Sequence, residues 1–260
     1  MDCIVVAGGI PGPEDPLYEY TQGRSKTLLD MEGRTMLERV MDALQTSENV
    51  ERIVIVGLEG DMGMQFSRPA DMFLPDHGSM VANVIAGVEW LRRDKPDIEA
   101  VLYCTADIPT ITGPIVDQFV QRCQPLEKGV YYILVSQEAM EERFPDSSRT
   151  YVKFNGVNAA GGDMAIARAE LADSNQELWE ALSNARKHAW KLARIVGFST
   201  LVKYLTRQLS LEEVQKTAER IIDYPVEIVV DPPAELAMDA DKPDQVDMLR
   251  AELRRMDAGA

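Results

Sequence analysis

Short, continuous apolar runs alternate with amphipathic stretches along most of this chain. That alternation restricts the fold more than any other feature. Cys3–Ala7, Arg52–Gly57, Met72–Leu74, Ala100–Cys104, Val130–Val135 and Val226–Val230 read as buried strands. Their unbroken apolar character is what a strand covered on both faces requires. Between them lie helical patterns. Thr35 stands where a helix cap belongs, with Glu38 at the capping-box position and Leu37, Val40, Met41 and Leu44 as the apolar stripe. Ser79 opens a second helix, with Val84, Val88 and Leu91 facing inward, and a third runs from about Pro114 to Cys123. Strands separated by helices predict an α/β fold: a mostly parallel sheet with right-handed crossovers, flanked by helices. Such sheets bind ligands at the carboxyl ends of their strands, near a topological switch point. The residues just after Ala7, Leu74 and Cys104 are therefore the first place to look.

The second half changes character. From Met164 to about Ile222 nearly everything reads as helix. Leu178, Leu182 and Ala185 carry the period, then Leu192, Ile195 and Val196, then Leu201, Tyr204 and Leu205; Ser210 caps a further helix with Glu213 at its box position. This predicts a helical insertion over 164–223 in a main domain made of 1–163 and 224–260, closed by a helix from Pro243 to Met256. Trp179, Trp190, Phe198 and Tyr204 give the insertion large aromatic area, which suits a lid over the site or a homodimer interface. Lys187, Lys191, Lys203 and Arg207 beside the apolar stripe leave a membrane-surface role as a third arrangement. The basic stretch Lys187, Trp190, Lys191 and Arg194 reads either as a solvated helix face or as a surface for an anionic acceptor.

Charge and cysteine usage narrow the function. A net charge of -16 argues against a general nucleic-acid surface, which needs clustered Lys and Arg. It leaves room for a small anionic ligand held by backbone N–H groups and a few basic side chains. Cys3, Cys104 and Cys123 are far apart and the chain has two histidines, so a zinc site is not expected. Few, scattered cysteines, no basic-then-apolar leader and no apolar run near the ~20 residues of a bilayer span predict a soluble cytoplasmic protein.

The chemistry-bearing residues sit at strand ends. Ala7-Gly8-Gly9-Ile10-Pro11-Gly12 follows the first strand, where glycines let the backbone approach a ligand and turn N–H groups towards phosphate oxygens. The same residues also read as an ordinary strand-to-loop turn. They match neither the dinucleotide fingerprint nor the P-loop. Lys26 closes that loop and can act as a point charge on phosphates, or sit on the surface as most lysines do. Thr105 and Asp107 follow the fourth strand, and Pro109 stiffens the turn. Asp107 there suits Mg²⁺, which prefers hard oxygen ligands, or an Asx-turn. Late in the chain Asp239 and Asp241 lie at i and i+2 in Ala237-Met-Asp-Ala-Asp-Lys-Pro-Asp244 and would point the same way in extended backbone. Asp239 reads as the metal ligand and Asp241 mainly as shaping the turn, or as a helix N-cap.

In combination, Gly8-Gly9, Lys26-Thr-Leu-Leu, Asp107-Ile-Pro and Asp239-x-Asp241-x-Pro-Asp resemble the nucleotidyltransferases of the glycosyltransferase-A fold, most closely the molybdenum-cofactor guanylyltransferase-like branch. The resemblance covers roughly 1–163 and 224–256. It implies a Mg²⁺-dependent transfer of a nucleoside monophosphate from an NTP to a small, phosphorylated acceptor, with release of pyrophosphate. It implies that Ala7, Gly8, Gly9 and Gly12 wrap the phosphates, that Lys26 neutralises charge at the α-phosphate, and that Asp107 and Asp239, with Asp241, form the metal site. Gly78–Gly87 resembles the family's base-recognition segment, with Asn83 reading the base or serving as an ordinary polar helix residue. Asn158-Ala-Ala-Gly161-Gly162-Asp163 resembles its acceptor-side loop, the glycines allowing close contact with the second substrate. The family usually carries an Arg soon after the glycines. Here that stretch is acidic (Glu14, Asp15, Glu19) and Arg24 is the only basic residue before Lys26, so either Arg24 takes over the grip or nucleotide binding is weakened. Two other functions fit the same residues: a glycosyltransferase of the same fold using a nucleotide-sugar, and a non-catalytic nucleotide-binding protein.

Overall fold

The computed structural model describes residues 1–174 and 195–259. A mixed sheet runs through it, with strands β1 (Asp2–Val6), β2 (Ile53–Val56), β3 (Met72–Leu74), β4 (Ala100–Thr105), β5 (Val130–Ser136), β6 (Val152–Lys153), β7 (Asn158–Arg168) and β8 (Val226–Val230). Their order is β3-β2-β1-β4-β7-β5-β8, with β6 paired to β7. β1 lies between β2 and β4 and is parallel to both. The chain therefore reverses its strand order at β1, and a crevice opens there at the carboxyl ends.

The helices given bounds among the described residues are α1 (Tyr18–Thr21), α2 (Met36–Thr46), α3 (Met80–Leu91), α4 (Gly113–Arg122), α5 (Gln137–Arg143), α6 (Phe198–Leu205), α7 (Leu211–Ile222) and α8 (Pro243–Gly259). α2 begins at Thr35, whose hydroxyl accepts from the Glu38 N–H at 3.2 Å while the Glu38 carboxylate accepts from the Thr35 N–H at 2.5 Å. Such a cap contributes about 1 kcal/mol. The same box forms between Ser210 and Glu213 at the start of α7. The core divides across the sheet. Cys3, Val5, Ile53 and Ile55 join α2 and α4 on one face; Ile4, Val54 and Val56 join Val88 and Leu91 of α3 on the other. The strict i, i+2 division of β1 and β2 between two covered faces explains why their sequences are apolar throughout.

One long element departs from the sequence reading. Residues 158–168 form a single strand, β7, antiparallel to both β4 and β5. The segment read as a loop (Asn158–Asp163) and the start of the helical insertion (Met164–Arg168) both belong to it. Its apolar residues, Met164 and Ile166, alternate with partly exposed small ones. The small residues dilute the pattern until it passes for neither helix nor strand. The expected periodicity at Leu178, Leu182, Ala185 and Leu192, and the residues Trp179, Lys187, Trp190, Lys191 and Arg194, lie outside the described residues. No helix among the described residues is long and apolar enough to cross a membrane.

Candidate functional site

The glycine turn is built by close approach of two strand ends. The Ala7 N–H donates to the Val56 carbonyl at 2.8 Å, ending the β1–β2 ladder. Gly57 follows at φ +112°, and a Cβ there would stand 2.2 Å from the Gly8 nitrogen and 2.4 Å from its Cα. Only glycine fits both the conformation and the space. On its other side Gly8 faces α3. A Cβ on Gly8 would lie 3.3 Å from the Asn83 amide nitrogen and from the Asp76 carboxylate. Gly9 has φ +99°. Beyond it opens a cavity of ≈ 470 Å³ whose lining includes Gly9, Gly12, Asp15, Lys26, Asp241 and Lys242.

Lys26 enters this crevice from a 3₁₀ turn that Ser25 caps. The Ser25 hydroxyl also donates to the Ala7 carbonyl at 3.3 Å, tying the lysine turn to the glycine turn. The Lys26 ammonium lies between Asp107 Oδ2 at 2.6 Å and Asp241 Oδ1 at 2.5 Å. Burial alone would lower its pKa; the charges of Asp107 and Asp241 outweigh burial and push it well above the usual lysine range. The lysine is therefore a fixed positive charge.

Asp107 sits just past β4, where its carbonyl accepts from the Ala240 N–H at 3.0 Å. That bond draws the segment after β8 onto the strand end. Carboxylate oxygens of Asp107, Asp239 and Asp241 consequently lie within 4.8 Å of one another. Asp107 Oδ1 is buried and has no hydrogen-bond partner among the described residues. An unpartnered buried carboxylate oxygen is costly, and a hard divalent cation would satisfy it. The residues present fit such an ion: they offer clustered carboxylates and no soft ligand.

Arg149 completes the cluster. It comes from the loop between α5 and β6, which the Gln245 side chain holds by donating to the Ser147 carbonyl at 3.1 Å. Its guanidinium bonds Asp239, reaches Asp163 at 3.3 Å and donates to the Gly161 carbonyl at 3.2 Å. Burial, then the negative charge of Asp107, pushes the Asp163 carboxyl up to about 7, against the pull of Arg149.

Residues 20–198 match the family model described as the MobA-like NTP transferase domain. The chain belongs to this family. Among solved structures it is similar to a hypothetical transferase from Thermus thermophilus, at 31% identity and a TM-score of 0.80, covering 94% of this chain and 98% of that one. A CMP:2-keto-3-deoxy-manno-octonic acid synthetase complexed with CTP shares the fold at 13% identity and a TM-score of 0.61, over 98% of this chain and all of that one. So does a 2-C-methyl-D-erythritol 4-phosphate cytidylyltransferase, also from Thermus thermophilus, at 16% identity and a TM-score of 0.54, over 97% and 98% of the two chains. This MobA-like protein is a nucleotidyltransferase, so the glycosyltransferase reading is set aside.

Within the MobA-like frame, the structure brings Lys26, Asp107, Asp239, Asp241 and Asp163 to one place. Asp241 does more than shape a turn: its carboxylate is on Lys26, and α8 starts after it at Pro243. Thr105 ends β4 beside them, its hydroxyl buried. Arg24 is exposed and is not among the cavity's lining residues; Lys242 is. Asn83 is buried, donating to Asp76 at 2.9 Å and accepting from the His77 N–H at 2.7 Å, so its amide holds the 76–78 segment beside Gly8. The two glycines of β7 have a packing reason. A Cβ on Gly162 would stand 2.4 Å from the Ile133 side chain, and one on Gly161 would stand 2.5 Å from the Tyr132 hydroxyl. Asn158 donates to Gln137 at 2.9 Å, at the far end of the strand from Arg168. Sequence reasoning missed Arg149 and Lys242. Lys242 stands inside the Asp239–Asp244 motif and was legible there. Arg149 lies in a polar loop with no period to draw attention to it.

Proposed function

We propose that this protein transfers a nucleoside monophosphate from an NTP to a small phosphorylated acceptor, releasing pyrophosphate. The observation that carries the reading is the juxtaposition of Lys26, the glycine turn and the Asp107–Asp239–Asp241 cluster at the carboxyl ends of β1 and β4. The triphosphate lies along Ala7–Gly12, where the backbone N–H groups of Gly8, Gly9, Ile10 and Gly12 donate to its oxygens. Lys26 holds positive charge beside the α-phosphate as charge builds there. An acceptor oxygen attacks the α-phosphorus in line, the bond to the β-phosphate oxygen breaks, and pyrophosphate leaves with the electron pair. No enzymatic nucleophile is needed, so catalysis is positioning plus electrostatics. Asp107 and Asp239, assisted by Asp241, would hold Mg²⁺, which supplies charge neutralisation for the leaving pyrophosphate.

The acceptor side is formed by Asp163 and the edge of β7, where Arg149 supplies a cation suited to an anionic acceptor. The 76–83 segment, braced by Asn83, is the base-facing wall. Three buried, unpaired cysteines agree with a reducing, cytoplasmic setting. The lid and homodimer roles rest on 175–207, of which 175–194 lie outside the described residues and α6 carries the exposed Phe198, Val202, Tyr204 and Leu205. The test is pyrophosphate release with each of the four NTPs against a panel of phosphorylated small acceptors in Mg²⁺. Turnover with one NTP–acceptor pair, lost in Asp107→Asn, supports the reading. Nucleotide binding without turnover across the panel favours the non-catalytic alternative.

A further inference from the structure

Four carboxylates, Asp107, Asp163, Asp239 and Asp241, face two cationic side chains, Lys26 and Arg149. The two cations are not equivalent. Lys26 bridges Asp107 and Asp241 from the nucleotide side. Arg149 comes from the loop between α5 and β6 and bonds Asp239, whose oxygen, like those of Asp107 and Asp241, belongs to the group able to hold a metal. A cation on Asp239 and a metal ion on Asp239 compete for one carboxylate. Its loop position allows Arg149 to give way. Residues 144–151 carry no helix or strand. A cavity of ≈ 410 Å³ lined by Glu141, Asp146, Ser147, Ser148, Arg149 and Tyr151 lies beside the arginine. The Arg149 Nε is buried without a partner among the described residues, so its present pose leaves one donor unsatisfied.

We propose that Arg149 is the resident counter-cation of the metal site: it holds Asp239 in the metal-free protein, and a divalent cation binding at Asp107 and Asp239 displaces it. The inference rests on the divalent-metal reading of those two aspartates. On displacement the guanidinium keeps Asp163 and the Gly161 carbonyl as anchors. Arg149 is thus a positioning residue for Asp239, and its presence weakens metal binding while keeping the empty carboxylate cluster from repelling itself.

Binding of Mn²⁺ alone, read from the loss of the free-ion EPR signal, tests this in the full-length protein. The variants are Arg149→Ala, Arg149→Met (which keeps an apolar stem in the arginine's place) and Asp239→Asn. A merely structural role predicts that losing Arg149 weakens Mn²⁺ binding. Competition predicts the opposite: both Arg149 variants bind Mn²⁺ more tightly than wild type, on the order of tenfold for a close charge pair released. Their metal-free melting temperature falls and the rise on adding Mn²⁺ is larger than in wild type. Should Arg149→Ala fail to fold, Arg149→Met carries the comparison. Equal or weaker binding in folded Arg149 variants, with Asp239→Asn still losing Mn²⁺, overturns the exchange and leaves the metal site standing. Unchanged Mn²⁺ binding in Asp239→Asn overturns the metal reading itself.

Discussion

Replacing Gly57 by alanine isolates the backbone contact on which the nucleotide turn is built. Gly57 has φ +112°, and its new Cβ would stand 2.2 Å from the Gly8 nitrogen, 2.4 Å from the Gly8 Cα and 2.9 Å from the Ala7 carbonyl carbon. All three are backbone atoms, so no flexible side chain can yield. Gly33 is the comparison: it also has positive φ, +78°, but a Cβ there meets nothing within 4 Å. Gly33→Ala should cost only the conformational penalty, about 1–2 kcal/mol. Gly57→Ala adds overpacking, about 1–3 kcal/mol more. For a chain of this size each kcal/mol lowers Tm by roughly 2–4 °C. Gly33→Ala should therefore melt about 2–8 °C below wild type, and Gly57→Ala about 4–20 °C below. Because relief comes from moving Gly8, Gly57→Ala should also weaken NTP binding, which Gly33→Ala should not. Differential scanning calorimetry and nucleotide titration read both effects. Equal melting of the two variants within a degree or two would refute the close-approach argument.

Lys26→Ala should lower kcat by about 10²–10³ while changing KM much less, because the lysine charge acts most on the transition state; steady-state kinetics with an unchanged kcat would return Lys26 to a structural role. Asp163 gives a pH signature in the metal-free protein. Its folded pKa of about 7 lies above the ordinary unfolded value of about 3.9. The native state then holds a proton that the unfolded state has released, and stability falls as pH rises from about 4 to 7. Asp163→Asn should flatten the Tm profile over that window, and identical profiles would contradict the assignment.

β1 and β2 were legible because they are buried on both faces and unbroken in apolar character, and β4, β5 and β8 because apolar residues still dominate them despite the exposed Tyr132 and Val230 and the polar Glu227. β1, β2, β4, β5 and β8 all appear where their runs predict. The Thr35–Glu38 and Ser210–Glu213 boxes were legible because capping is a local interaction. β7 was not. Its glycines, Gly161 and Gly162, serve contacts with Tyr132 and Ile133 across the sheet, and such long-range packing leaves no local pattern. The same divide runs through the site. Lys26, Asp107 and Asp239 stand beside strand ends and carry their positions in the sequence. Arg149 reaches Asp239 only because Gln245 and Lys242 hold the Ser147–Ser148 loop onto the start of α8. Arg24 is the converse case. It filled the place of an expected basic residue by order along the chain, yet the fold leaves it exposed.

The central claim is that one divalent cation and an NTP meet between the glycine turn and the aspartate cluster. Crystals soaked with Mn²⁺ and each NTP in turn, measured at the manganese absorption edge, test it directly. The account predicts an anomalous peak bound by Asp107 and Asp239, with a triphosphate along Ala7–Gly12 and Lys26 beside its α-phosphate. Manganese bound away from both aspartates, or a nucleotide seated elsewhere with the glycine turn empty, would contradict it.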